Sequence, residues 1–411
     1  MATTSASILR AWAAAALLAA APSAQDPAAR SAPPPDPYTR GEPAAMAAAG
    51  YVSFGPFPFG YRHGSGDVVA LLGNEPLVWI ETAHFRIGCA LSPLRLRGDR
   101  EWLDHVKAEL KQLKTRLPTV KTNPRELDPW LRAHLIAQRC EALYAEVCEH
   151  LGVTDATFPS GPDQLGRFDA STYEGAGPYL GLEHKFAVLL LQRTASLARY
   201  TRAYQGVETM EPKRHYDPGS AMTFAVAEET TNGLLKDDFA LHTHLVYNLA
   251  SNLYNGYRGY HHELPPWLLG GLAHWHARRV CPRFPAYERQ AGDTDHETRD
   301  FWKWDERAQG LMRNKAFEPL TALLARTDLT QFGMEQHIQA WAFVDFLMAT
   351  RKAATMKFLR GMKDPFHALR SEPTQAEVSE RAAALFPQAF ALDPAGLEDV
   401  WRAHLLSGRR K

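Results

Sequence analysis

From Leu241 to Leu253 leucines recur in steps of four, and Val246, Ala250 and Tyr254 widen the same face. That is helical rather than strand periodicity. His244, Asn248, Ser251, Asn252 and Asn255 fall at i, i+4, i+7, i+8 and i+11, which places them in a polar stripe on the other side of the cylinder. Pro265 and Pro266 suit the entrance of a second helix. The apolar faces of the two helices, predicted over 239–256 and 265–279, carry no charge. They are expected to pack together, with Trp267, Leu272 and Trp275 largely buried.

The surrounding pattern predicts an α+β fold that is predominantly helical. Residues 77–87, LVWIETAHFRI, are rich in β-branched and aromatic side chains and predict one strand, with His84 as a cross-strand packing residue. Asp99 is a good N-cap for a helix whose face is Leu103, Val106, Leu110, Leu113 and Leu117, ended by Pro118. A longer helix is predicted from Pro129 to Leu151, closed by Gly152. Short apolar runs at 186–192 and 222–227 predict buried strands, and the glycines of 175–181 a turn. Helical patterns return at 320–325, 336–348, 356–362 and 397–405.

Before this folded part, Arg10 precedes an apolar run from Ala11 to Ala21 and small residues through Ala24, a pattern that predicts a signal peptide over 1–24 and an exported protein. The run falls short of the ~20 residues a membrane helix needs. Residues 25–50, rich in Ala and Pro, lack a periodic apolar pattern and are expected to form a flexible leader. The remainder divides into an α+β part over 51–280 and a helical part over 281–411.

Charge and cysteine content narrow the function. The 46 basic and 46 acidic residues cancel, and no basic block interleaves with aromatics outside Arg409, Arg410 and Lys411, so nucleic acid is not an expected partner. Cys89, Cys140, Cys148 and Cys281 are too scattered for a zinc-binding CxxC arrangement or a disulfide framework. Cys140 and Cys148 lie on one predicted helix, about 12 Å apart along its axis, and cannot bridge each other. Neither a Gly-x-Ser-x-Gly elbow nor a dinucleotide-binding glycine motif is present.

Trp267-Leu268-Leu269-Gly270-Gly271-Leu272-Ala273, following the helix that carries His244, resembles the Trp-Leu-x-Glu-Gly-Leu-Ala element of gluzincin, peptidase-MA-like metallopeptidases. The Glu81-Thr82-Ala83-His84-Phe85-Arg86 stretch, the Trp341 helix and the closing Leu397-Glu398-Asp399-Val400-Trp401-Arg402 resemble other elements of the same proteins, in the same order. The resemblance implies a zincin-like fold with a small mixed sheet and a helical C-terminal half. It also implies a site in which two histidines one turn apart and a glutamate from the next helix hold zinc, with a second glutamate as base. Here His244 matches the first ligand, whereas Leu245 stands in place of the base, Asn248 in place of the second histidine and Gly270 in place of the ligand glutamate.

The expected function is therefore that of a non-catalytic binding or scaffold protein of the bacterial envelope, with a groove lined by His244, Asn248, Asn252, Trp267 and His274 and a peptide, protein or envelope ligand as partner. No cofactor is expected. Zinc would require a rearranged set drawn from His244, His274, His261, His262 and Glu263, and an active zinc metallopeptidase built on such a set is the alternative. His274 is the best placed, one turn beyond Gly270, and His242 the worst, pointing about 200° away from His244. Glu228, Glu229 or Glu263 would have to supply the missing base.

Overall fold

The structure is a computed structural model and describes residues 35–73, 75–160, 173–217, 221–284, 286, 302–364 and 372–407. The signal segment 1–24 lies outside them. The described chain opens with α1 (Pro43–Ala49), strands β1 (Pro58–Gly60) and β2 (His63–Gly64), α2 (Ser65–Leu72), β3 (Val78–Glu81) and β4 (Phe85–Cys89). Next come β5 (Leu94–Arg95), α3 (Arg100–Lys114), β6 (Glu126–Leu127), α4 (Pro129–Leu151), β7 (Phe186–Leu191), α5 (Thr194–Tyr204), β8 (Lys213–His215) and β9 (Thr223–Ala227). After the short α6 (Thr230–Gly233), the rest is helical: α7 (Asp238–Gly256), α8 (Pro266–Val280), α9 (Trp304–Arg313), α10 (Leu320–Ala325), α11 (Met334–Thr350), α12 (Lys352–Lys363), α13 (Gln375–Phe390) and α14 (Pro394–Leu406).

Five strands form a mixed sheet in the order β3-β4-β7-β9-β8, with β4, β7 and β9 parallel and the outer strands antiparallel to their neighbours. Every residue of β7, FAVLLL, is buried, because helices cover both faces of this central strand. Val188 and Leu190 face a core shared with α3, α4, α7 and α8. Leu189 and Leu191 face a second cluster with Val68 and Leu72 of α2 and Leu197 and Tyr200 of α5. The fold is thus α+β with a mixed sheet and a helical C-terminal half, and the larger core draws residues from Ala49 to Leu405 into one cluster.

The long helices start and stop where the capping signals place them. Asp99 accepts a hydrogen bond from the Trp102 N–H, Asp128 does the same for Leu131, and Gly152 takes the left-handed conformation after α4. Three expectations fail. The single strand over 77–87 is a hairpin, since Thr82 and Phe85 bond each other's backbone and side-chain groups around a tight turn. His84 sits in that turn, bonded through Nδ1 to Glu141 at 2.6 Å and stacked on Tyr144, instead of packing across strands. The leader is not free over its described part. The buried Asp36 bonds His134 at 3.1 Å and Thr39 at 2.5 Å, the Tyr38 hydroxyl donates to Asp128, and α1 packs Ala49 into the core. Polar anchors order a segment that has no apolar periodicity.

All four cysteines are buried free thiols. Among the described residues no helix is long and apolar enough to cross a membrane.

Candidate functional site

α7 and α8 pack as expected from their uncharged faces. Trp267 and Leu272 are at most 1% exposed, whereas Trp275, also expected to be largely buried, is only half-buried, beneath the Arg279 guanidinium. Asp237 caps α7 by accepting from the N–H groups of Phe239 and Ala240. All of α7 is buried, so its polar stripe faces protein instead of an open groove.

Four members of the stripe, Asn248, Ser251, Asn252 and Asn255, bond backbone groups. The Asn248 amide donates to the His244 carbonyl one turn back at 2.9 Å, Asn252 reaches the Thr223 carbonyl at the start of β9, and Asn255 accepts the N–H of Leu264. Ser251 bonds the Tyr247 carbonyl. Trp267, expected in a groove, lies in the core between Phe343 and Phe358.

At Leu245 and Gly270, the positions that the zincin resemblance assigns to a base and a third ligand, there is hydrocarbon. Leu245 is 1% exposed and belongs to the main core. A Cβ on Gly270 would meet Leu329 Cδ1 at 2.9 Å, so the leucine fills the space a ligand carboxylate would need. Glu228 is not available as a substitute base. It is buried, bound by Arg132 and by the Ser92 N–H, and this pair ties α4 to the end of β9. Glu229 accepts from the Thr194 N–H, and Glu263 takes a hydrogen bond from the Tyr260 hydroxyl at the surface.

Among the described residues the candidate ligands His244, His274, His261, His262 and Glu263 do not gather at one point. His274 shares a 3.1 Å hydrogen bond with His337 of α11 and packs against Tyr247 and Trp304. Burial, then His337 and Arg278, hold it neutral well below its ordinary pKa. His276 meets the Tyr254 hydroxyl and Glu146. His261 and His262 lie in the loop after α7. Burial and Lys363 push His262 down to about 3.

One group of three potential metal ligands does assemble among the described residues, and it was not expected: His105 and Glu109 on α3 with His242 on α7. His242, expected to be the poorest candidate, faces α3 because it points away from His244. Arg139 of α4 holds the Glu109 carboxylate in a fork at 2.8 and 2.6 Å and turns its other edge to Asp238 of α7. Although burial opposes ionisation of Glu109, the charge and hydrogen bonds of Arg139 hold its carboxyl below the usual carboxylate range. The sequence signal for this cluster was the His105 to Glu109 spacing of one helical turn. Nothing local points to its third member.

A second feature absent from the sequence reading is a cleft of about 820 Å³ between α12, α13 and the end of α4. Arg258, Lys352, Lys357 and Arg360 line it together with Asp364, around a floor that includes Met356, Phe358, Leu385 and Ala389. Arg258 is engaged by Glu174 and Asp364, while Lys352 and Lys357 are exposed. No protein-family model matches this chain, and no curated protein matches it in sequence.

Proposed function

We propose that this is an exported protein of zincin-like descent whose peptidase site has been converted into core, and that it acts by binding rather than by hydrolysis. The observation that carries this reading is the pairing of Gly270 with Leu329: the third-ligand position has lost its side chain, and a leucine from elsewhere in the chain occupies the space. The buried Leu245 and the Asn248 amide bonded to a backbone carbonyl support it. A water-activating base and a second imidazole would both have to be rebuilt there. The mixed sheet followed by two packed helices agrees with zincin architecture.

The parent is expected to show no zinc-dependent hydrolysis of casein. Combining Leu245→Glu, Asn248→His and Gly270→Glu should create zinc affinity at His244 only when Leu329→Ala is added to make room. Zinc bound by the four-fold variant in excess of what the parent binds, and lost on adding His244→Ala, would support the reading. Casein hydrolysis by the parent, stopped by a chelator and by His244→Ala, would refute it and favour the metallopeptidase.

The 820 Å³ cleft is the place for the ligand, within the range of ~300–1,000 Å³ usual for binding pockets. Its excess of cationic side chains over an apolar floor fits an acidic peptide segment carrying apolar residues. Binding of a labelled Asp/Leu-rich peptide, weakening with salt, is expected to fall at least about tenfold in Lys352→Glu/Lys357→Glu. Both lysines are exposed, so the fold should survive. Equal affinity in parent and variant would remove the cleft from the proposal.

A further inference from the structure

We propose that His105, Glu109 and His242 form a divalent-metal site, with zinc the fitting ion, held between α3 and α7 on the side of α7 away from His244. This site is independent of the degenerate one.

The geometry is close to closed. Nε2 of His105 lies 3.5 Å from Oε1 of Glu109, and Nδ1 of His242 lies 3.9 Å from the same oxygen. One donor atom from each of the three falls within 4.8 Å of the others. Bonds of ~2.0–2.1 Å in a tetrahedral zinc site place ligand atoms ~3.3 Å apart, so small side-chain rotations complete the set. His105 and Glu109 are one turn apart on α3, the spacing at which two side chains of a helix reach one ion.

A second observation points to a ligand. Nε2 of His105 and Nδ1 of His242 are buried, and beyond their 3.5 and 3.9 Å approaches to Glu109 neither meets a hydrogen-bond partner among the described residues. The His242 side chain is 9% exposed. Leaving an imidazole nitrogen buried and unbonded costs free energy, and a metal ion at the point where both nitrogens and a carboxylate converge removes that cost.

Arg139 is the natural objection, since its positive charge lies beside the site. It is balanced by two carboxylates, Glu109 and Asp238, so the three groups together are net negative and a dication enters a favourable field. Each carboxylate oxygen offers two lone pairs, which lets Oε1 accept from Arg139 and bind metal together. Arg139 then orients the ligand carboxylate, as outer partners of metal ligands commonly do. Two imidazoles and one carboxylate suit zinc, whereas calcium and magnesium favour all-oxygen sets. The fourth position is left for water on the side of His105, whose side chain is 36% exposed.

The test uses the full folded chain, stripped with a chelator, dialysed and titrated with zinc chloride alone. One zinc per chain at micromolar zinc is expected, together with a rise in thermal midpoint. His105→Ala, at a part-exposed position that should not disturb folding, is expected to weaken zinc binding at least about 100-fold and to abolish the thermal shift. His242→Gln should do the same, while His244→Ala should leave both unchanged. The proposal is overturned if the parent binds no zinc at micromolar concentration, if His105→Ala binds as the parent does, or if His244→Ala removes the metal.

Discussion

Replacing Gly271 by leucine is expected to prevent the chain from folding, and even Gly271→Ala is expected to destabilise it by about 1–3 kcal/mol or more, against the usual trend for helices. In an ordinary helix interior, alanine is better than glycine by ~1 kcal/mol. Here a Cβ on Gly271 would lie 2.4 Å from Val344 Cγ2 and 2.7 Å from the Ala340 carbonyl oxygen of α11. The valine can turn; the backbone oxygen cannot. α8 and α11 would have to separate, opening the core around Trp267 and Phe343. The neighbouring Gly270→Ala supplies the control. Its nearest contact is the far end of the Leu329 side chain at 2.9 Å, which can move, so the change should be neutral to within about 1 kcal/mol. Urea denaturation of the two alanine variants beside the parent measures the contrast. A Gly271→Ala protein as stable as the parent would show that the helix contact is looser than described.

Acid is expected to weaken the fold through His274. It is fully buried between α7, α9 and α11, facing Tyr247, Trp304 and His337, with Arg278 on its own helix. Burial, then the two basic neighbours, lower its pKa well below the ordinary 6.5. In the unfolded chain it takes up a proton as the pH falls through that ordinary value; in the folded chain it does not. The unfolded state is therefore favoured below pH 6.5, by about 1.4 kcal/mol for each pH unit while the folded imidazole stays neutral. Stability is fully present above that value and is lost on its acid side. The double change His274→Leu with His337→Leu should flatten the acid limb by that slope. Unfolding free energies measured from pH 7 to pH 4.5 that fall equally in both proteins would exclude His274 as the source.

What the sequence disclosed follows from the kind of force involved. Helices α3, α4, α7 and α8 were legible because a one-sided apolar face, an Asp cap or a terminal Gly is written in consecutive residues. The β3–β4 hairpin was not, because Thr82, Ala83 and His84 make the turn without the glycine or proline that usually announces one. The order of residues 36–49 escaped notice because it rests on polar contacts from Asp36 and Tyr38 to the distant His134 and Asp128. A stripe of Asn and His at helical spacing reads the same whether it lines a groove or satisfies buried backbone. Only the Thr223 carbonyl beside Asn252 and the Leu264 N–H beside Asn255 decide between the two. His105, Glu109 and His242 were out of reach for a related reason, since their convergence is set by how α3 crosses α7.

The continuity of the main core past Cys281 has a consequence for how the molecule comes apart. Trp267 of α8 is clasped by Phe343 of α11 and Phe358 of α12, and the same cluster holds Trp401 of α14. The apolar surface on which the last helices condense thus belongs to the part of the chain made before them. Chain emerging from a ribosome only as far as α8 would present that surface to solvent, so the first two-thirds of the protein must wait, sticky and incomplete, until its final helices arrive. Cooperative unfolding and the exposure of apolar surface during synthesis are two faces of that one arrangement.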